Sequence, residues 1–76
     1  MLVLETAEHT LLEGNLALNS EDDGIDVDSP ATTVVGNLAL HNADLGIEAV
    51  LGVTHGGDNK ASGNGNPAQC TNIACT

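Results

Sequence analysis

The sequence predicts an all-β fold: a short parallel β-helix, or solenoid, of about three 22-residue coils. Three observations predict it. The stretch NLALNSEDDGIDV (Asn15–Val27) returns 22 residues later as NLALHNADLGIEA (Asn37–Ala49). Within each copy the apolar residues alternate with period two, as in GIDVD, which is the spacing of strands and not of helices. Gly and Asn interrupt every few residues, which breaks helices and makes turns. A fixed period in the low twenties is the signature of coils stacked one on the next. The whole chain, residues 1–76, is then one small domain.

Taken in order, Val3–Glu5 falls above Ile25–Val27 and Ile47–Ala49 as a partial first coil. Residues 10–31 form one row and residues 32–53 the next, with nine of 22 columns identical: Thr10/Thr32, Gly14/Gly36, Asn15/Asn37, Leu16/Leu38, Ala17/Ala39, Leu18/Leu40, Asp22/Asp44, Gly24/Gly46 and Ile25/Ile47. That density of identity argues for stacking in parallel register, with neighbouring strands about 4.8 Å apart. Each row holds two or three short strands joined by tight corners. Alternation sends Leu12, Val34, Ile25, Val27, Ile47 and Ala49 inward, and Glu13, Val35, Asp26, Asp28 and Glu48 outward. Asn15, Asn37 and Asn59 share one corner, and Ser20, Asn42 and Asn64 another. Stacked amides there form ladders that satisfy turn backbone. Residues 54–75 are a degenerate third row in which Thr54, Asn59 and Ala61 keep their columns. Its segments THGGDNK and GNGNP lack P-loop spacing and read as turns. The tail carries the only two cysteines, Cys70 and Cys75, as CTNIAC. This is not a C-x-x-C pair; a local disulfide is the expectation, with free thiols as the alternative. A disulfide favours an oxidising compartment.

The pattern N-x-A-x-x-N…G-I-x-V, together with DDGIDVDSPATTVVGN, ADLGIEAV and GGDNKASGNGNPAQCTNIAC, resembles the right-handed parallel β-helix proteins of the pectate-lyase-like kind. The resemblance spans essentially the whole chain and implies the last coils of such a domain, a C-terminal fragment of a larger solenoid. It also implies an extracellular or cell-envelope location. No secretory leader is read in MLVLETAEHT, which lacks a basic start and carries Glu5 and Glu8. The family pattern places Ala17 and Ala39 inward, which turns Leu16, Leu18, Leu38 and Leu40 outward as an apolar patch. The opposite phase, leucines in and alanines out, stays open at this point. An exposed apolar patch marks an interface, and open coil ends present unpaired strand edges. A homo-oligomer is therefore expected.

Composition narrows the partners further. One Lys and no Arg stand against 11 Asp and Glu, a net charge of −10. Nucleic acid and anionic membrane surfaces are excluded, because both need clustered basic residues. No Phe, Trp or Tyr is present, so the core is thin and aliphatic.

The richest chemistry lies in EDDGIDVD. Asp22, Asp23, Asp26 and Asp28 gather there, and stacking adds Asp44 beneath Asp22 and Glu48 beneath Asp26. Carboxylates one rung apart sit roughly 5 Å from each other. Three readings follow: a solvated acidic face, a Ca²⁺ site drawn from Asp22, Asp23, Asp26, Asp28 and Glu48, or an acid/base pair for glycoside hydrolysis. The catalytic candidates are Asp22, Asp26, Glu48 and His41. A Ser20–His41–Asp22 or Asp44 constellation also falls near one corner, without a nucleophile elbow. His9, His41 and His55 occupy different columns and share no metal site. The family's lyases use a basic residue with Ca²⁺, and Lys60 in the degenerate row is the sole lysine, so lyase activity is not implied. The sequence thus points to a structural or binding module that self-associates without a complete active site. The alternatives are a small carbohydrate-active enzyme or hydrolase on the acidic ladder, and a Ca²⁺-stabilised extracellular module.

Overall fold

In the computed structural model, which describes residues 1–76, the chain folds into three parallel sheets and no helix. Strands β1 (Leu2–Val3), β4 (Ile25–Val27), β7 (Ile47–Ala49) and β10 (Cys70–Thr71) form the first sheet, in that order. Strands β2 (Thr10–Glu13), β5 (Thr32–Val35) and β8 (Thr54–Gly57) form the second. Strands β3 (Leu16–Leu18), β6 (Leu38–Leu40) and β9 (Lys60–Ser62) form the third. Each coil contributes one strand to each wall of a β-solenoid. The duplicated columns pair as the repeat requires: Thr10 with Thr32, Leu16 with Leu38, Ile25 with Ile47 and Asp26 with Glu48.

Every coil turns one thin set of side chains inward. Ile25, Val27, Val34 and Ile47 are fully buried, and Val3, Leu12, Ala49 and Ile73 pack with them. The third wall adds only Ala39 and Ala61, both buried, with Ala17 half-buried at the end of the stack. The alanines therefore face in and the leucines of NLAL face out. With branched aliphatics projecting from the other two walls, the third wall has room for a methyl group alone.

Two internal asparagine ladders hold the coils in register. At the first corner the Asn37 Oδ1 accepts from both the backbone N and the Nδ2 of Asn15, at 2.9 and 3.0 Å. Asn59 Oδ1 does the same for Asn37, at 3.1 Å in each case. Each Nδ2 also reaches back to a strand carbonyl, Asn37 to Leu12 O at 2.9 Å and Asn59 to Val34 O at 2.9 Å. The second corner repeats the pattern. Ser20 N donates to Asn42 Oδ1 at 2.9 Å, and Asn42 donates to Asn64 Oδ1 from its backbone N and its Nδ2 at 2.8 Å. Gln69 closes this ladder: its Oε1 accepts from Asn64 N and Nδ2 at 3.2 and 2.8 Å, taking the place of a fourth rung. Glycine at 24 and 46 follows from the same geometry. A Cβ on Gly24 would meet Asn42 Nδ2 at 2.6 Å, and one on Gly46 would meet Asn64 Nδ2 at 2.8 Å.

The outer coils depart from the simple 22-residue alignment in three places. Val3 pairs with Val27, and not with Ile25, because the Leu4–His9 connection is two residues longer than the one after β4. Both registers are even-numbered, so Val3 still points inward. In the third coil Thr54 pairs with Thr33, not Thr32, and His55 with Val34. The register returns at Gly57 opposite Val35, leaving Gly56 as a bulge. Only glycine fits there, since a Cβ would lie 2.5 Å from Val35 Cβ. The extra residue restores Asn59 to its place below Asn37. Finally, Cys70 pairs with Ile47 and Thr71 with Glu48, one residue on from the aligned position. The turn over residues 65–69 absorbs that residue so that Gln69 can reach the ladder.

The ladders generate a graded prediction. Asn37→Ala removes an acceptor of two bonds and a donor to buried carbonyls, with one orphaned buried group costing about 1–3 kcal/mol. A domain of this size has a total stability of only about 5 kcal/mol or slightly more. Asn37→Ala is therefore expected to leave the chain largely unfolded at 25 °C in urea titrations, while Asn15→Ala, at the open end of the same ladder, lowers the midpoint only modestly. Gly24→Ala is expected to resemble Asn37→Ala.

Candidate functional site

The first sheet carries a column of outward residues in the order Leu2, Asp26, Glu48, Thr71, set by strand pairing. Parallel stacking thus brings Asp26 beside Glu48, as the sequence indicates. Asp23 enters the same group from the corner before β4. It is buried, and its Oδ1 accepts from Leu45 N at 3.0 Å, tying two coils together. Carboxylate oxygens of Asp23, Asp26 and Glu48 all lie within 4.8 Å of one another. A second set, Asp22, Asp23 and Asp44, meets the same condition and shares Asp23. Asp28 follows β4 and borders a shallow open groove lined by Leu45, Glu48, Val50, Leu51 and Thr71.

Crowding of like charges raises the proton affinity of two members. Asp26 is pushed up to about 6, first by desolvation and then by a hydrogen bond to the Asp28 carboxylate and the charges of Asp28, Asp23 and Asp22. Its Oδ1 is buried and meets no donor. Glu48 is pushed up to about 7, first by a hydrogen bond to Asp23 and by that residue's charge, then by desolvation and the charges of Asp26 and Asp28. The crowding favours a proton over a full set of charges on this patch.

His41 lies elsewhere. It follows β6 in a left-handed turn, φ 56°, in column with Asn19 and Gly63, and its ring occupies the space beside Gly63. It belongs to neither carboxylate group. Ser20 Oγ accepts from Asp22 N at 3.4 Å, and its backbone N serves the ladder, so Ser20 has structural partners. Lys60 lies on β9, in the third sheet, away from the carboxylates of the first.

The second candidate surface is apolar. Leu16 and Leu18 are 59% and 48% exposed, whereas Leu38 and Leu40 one coil below are half-buried by neighbours on both sides. Six of the seven strongly exposed large apolar residues belong to the first coil: Met1, Leu2, Leu4, Leu11, Leu16 and Leu18. Of these the duplicated motif itself points only to Leu16 and Leu18. The others lie outside the duplicated motif, and only the position of their strands at the end of the stack exposes them. On that end β1, β2 and β3 have no neighbouring strand. Thr10 N, Gly14 N and Asn19 N bond downward to Ala31, Val35 and Leu40 carbonyls. By alternation the backbone groups of Leu11, Glu13, Leu16 and Leu18 face the open side.

The opposite end is blunted strand by strand. β8 carries the Gly56 bulge, β10 is tied by the Cys70–Cys75 disulfide, and Thr76 lies along β9. The two ends of the solenoid therefore differ sharply in character. No protein-family model, no curated protein and no solved structure matches this chain.

The carboxyl cluster fixes the sign of a pH effect. Asp26 and Glu48 have ordinary values of 3.8 and 4.5 and folded values near 6 and 7, so the folded chain binds more protons than the unfolded one between those limits. Their contribution is fully present below the unfolded values and is lost as pH rises through about 7. The melting temperature is expected to fall by a few degrees between pH 5 and pH 8. Glu48→Gln should raise it at pH 8 and flatten the profile; an unchanged slope would contradict the assignment.

Proposed function

We propose that the chain is a structural or binding module that self-associates through its first-coil end. The observation that carries this reading is the gathering of six exposed apolar side chains around three unpaired, regular strand edges. Apolar side chains exposed around one end of the stack suit an interface, and unpaired edges supply backbone hydrogen bonds to an added strand. Because the other end is blunted, two copies meet first coil to first coil. Such a contact uses the same patch on both partners and closes as a two-fold dimer. The net charge of −10 opposes association, so screening by salt strengthens it. The disulfide suits an oxidising compartment outside the cytosol.

A second reading has its own support. Two sets of three carboxylates with oxygens within 4.8 Å offer hard ligands for a divalent cation, with Ca²⁺ the best match to an all-oxygen donor set. In this reading the ion offsets the mutual repulsion of Asp23, Asp26 and Glu48 and stabilises the solenoid from outside the core.

Sedimentation velocity at micromolar concentration tests the first reading. A dimer is expected, populated more at 0.5 M than at 0.05 M salt by roughly tenfold in Kd. Leu16→Lys with Leu18→Lys should leave a folded monomer. A monomer for the parent chain at every salt concentration rejects self-association. Thermal melts at pH 8 test the second: millimolar Ca²⁺ should raise the midpoint, chelator should reverse the rise, and Asp23→Asn should abolish it.

A further inference from the structure

Asn64 and Gly65 form the only Asn-Gly step in the chain. Two separate packing demands put them side by side. The second corner needs an asparagine at 64. Its Oδ1 accepts from Asn42 N and Nδ2 at 2.8 Å, and its Nδ2 donates to Ala39 O at 3.1 Å and to Gln69 Oε1 at 2.8 Å. The next position needs a glycine, because a Cβ there would run into the carbonyl oxygen of Ala43 in the preceding coil. The other ladder asparagines are followed by residues that carry side chains: Leu16, Leu38, Ala43 and Lys60.

An Asn-Gly step is open to attack by its own backbone, since glycine leaves the following nitrogen unshielded and the chain free to rotate. In that reaction Gly65 N loses its proton and bonds to Asn64 Cγ. The Cγ–Nδ2 bond breaks, ammonia leaves, and a cyclic imide remains. Water then opens the imide. Cleavage at Cγ gives an aspartyl residue; cleavage at the Asn64 backbone carbonyl gives an isoaspartyl link, which lengthens the main chain. The fold blocks the first step at both reacting groups. The Gly65 N–H is held by Asn42 O at 2.9 Å. The Asn64 amide is pinned by the ladder and is only 8% exposed.

We propose that Asn64–Gly65 is a deamidation site gated by the fold: closed in the native corner, reactive with water once the corner opens, and unable to rebuild the corner afterwards. Local opening frees both reacting groups together, since one corner holds them. After reaction the side chain at 64 has carboxylate oxygens only. One accepts from Asn42 as before, but the other faces Ala39 O, an acceptor, where a donor stood. Gln69 meets it with Nε2 only by giving up its bonds to Asn64 N, Asn64 O and Asn66 O. A buried charge set against an acceptor is costly. The isoaspartyl link also shifts Gly65 N away from Asn42 O. Opening of this corner therefore leaves a covalent mark that removes chains from the folded pool. Gln69 is the residue that keeps the gate, because it alone binds Asn64 from the far side of the ladder.

The test ages the disulfide-intact chain at pH 8, in buffer and in urea above its unfolding midpoint, and maps deamidation by tandem mass spectrometry. In urea Asn64 should gain the mass of an amide-to-acid exchange within days, ahead of Asn15, Asn37, Asn42 and Asn59. In buffer the same step should run more than about a hundredfold slower, because the open corner is that rare in a folded domain. Gln69→Ala, checked for folding by circular dichroism, should deamidate several-fold faster than the parent in buffer and at the parent's rate in urea. If that variant does not fold, the parent's two rates decide alone. On return from urea to buffer, unmodified chains should refold, and chains modified at 64 should stay unfolded or melt at lower urea, as should Asn64→Asp. Equal rates in buffer and urea reject the gate. Modified chains that refold with the parent's midpoint reject the lasting mark.

Discussion

The reach of one asparagine side chain sets the construction of this molecule. From the corner of one coil, its amide oxygen takes the backbone N–H and the amide of the asparagine one coil earlier, and its amide nitrogen returns to a strand carbonyl. Buried polar groups are with few exceptions paired, and here the pairing comes from another asparagine 22 residues away, with Gln69 closing the second ladder. That condition fixes the register, and the register fixes everything outside it. It explains why the third coil inserts Gly56 and regains its alignment by Asn59. It also explains the glycines at 24 and 46, where the ladder amides fill the space a Cβ would need. The aliphatic core is small, and no aromatic residue enlarges it. Hydrogen-bonded corners do what a bulky core does in a larger domain.

A ladder with donors on one side and acceptors on the other has a direction, so the solenoid has two unlike ends. The first coil presents free acceptors, regular strand edges and exposed leucines. The last coil presents donors, and each of its strands is treated differently: a bulge in one, a tail residue along another, a disulfide at the third. These are devices that blunt a strand edge against unwanted pairing. Their concentration at a single end leaves the first coil as the end whose strand edges are regular and open.

The carboxyl group on the first sheet is a by-product of the same register. Asp26 and Glu48 are opposed because identical columns stack, and Asp23 joins them because the corner before β4 turns it inward to bond Leu45 N. Like charges forced together either share protons or hold a cation. Burial and neighbouring carboxylates raise the proton affinity of Asp26 and Glu48, the direction of the first outcome. This patch and the apolar rim occupy different parts of the solenoid, one on a wall and one at an end.

The sequence by itself determined the all-β solenoid, the 22-residue coil, the two asparagine corners, the inward Ile and Val positions with Ala49, and the opposition of Asp26 to Glu48; that Ala17 and Ala39 and not the leucines of NLAL turn inward came with the structure. The former follow from periodicity, because stacking in register converts a repeat in one dimension into a column in three. The duplicated leucines were legible in the same way, but their exposure was not: Leu16 and Leu18 stand clear while Leu38 and Leu40 are half-covered, a difference of position in the stack that identical letters do not carry. Where the columns are not identical the signal fades. Gln69 acting as a rung, Thr76 standing for a strand, the shifted pairing of Thr54 and Cys70, and the burial of Asp23 came only with the tertiary structure. Each depends on where a connection of particular length delivers its side chain, and a column without a matching copy offers nothing against which that delivery can be read.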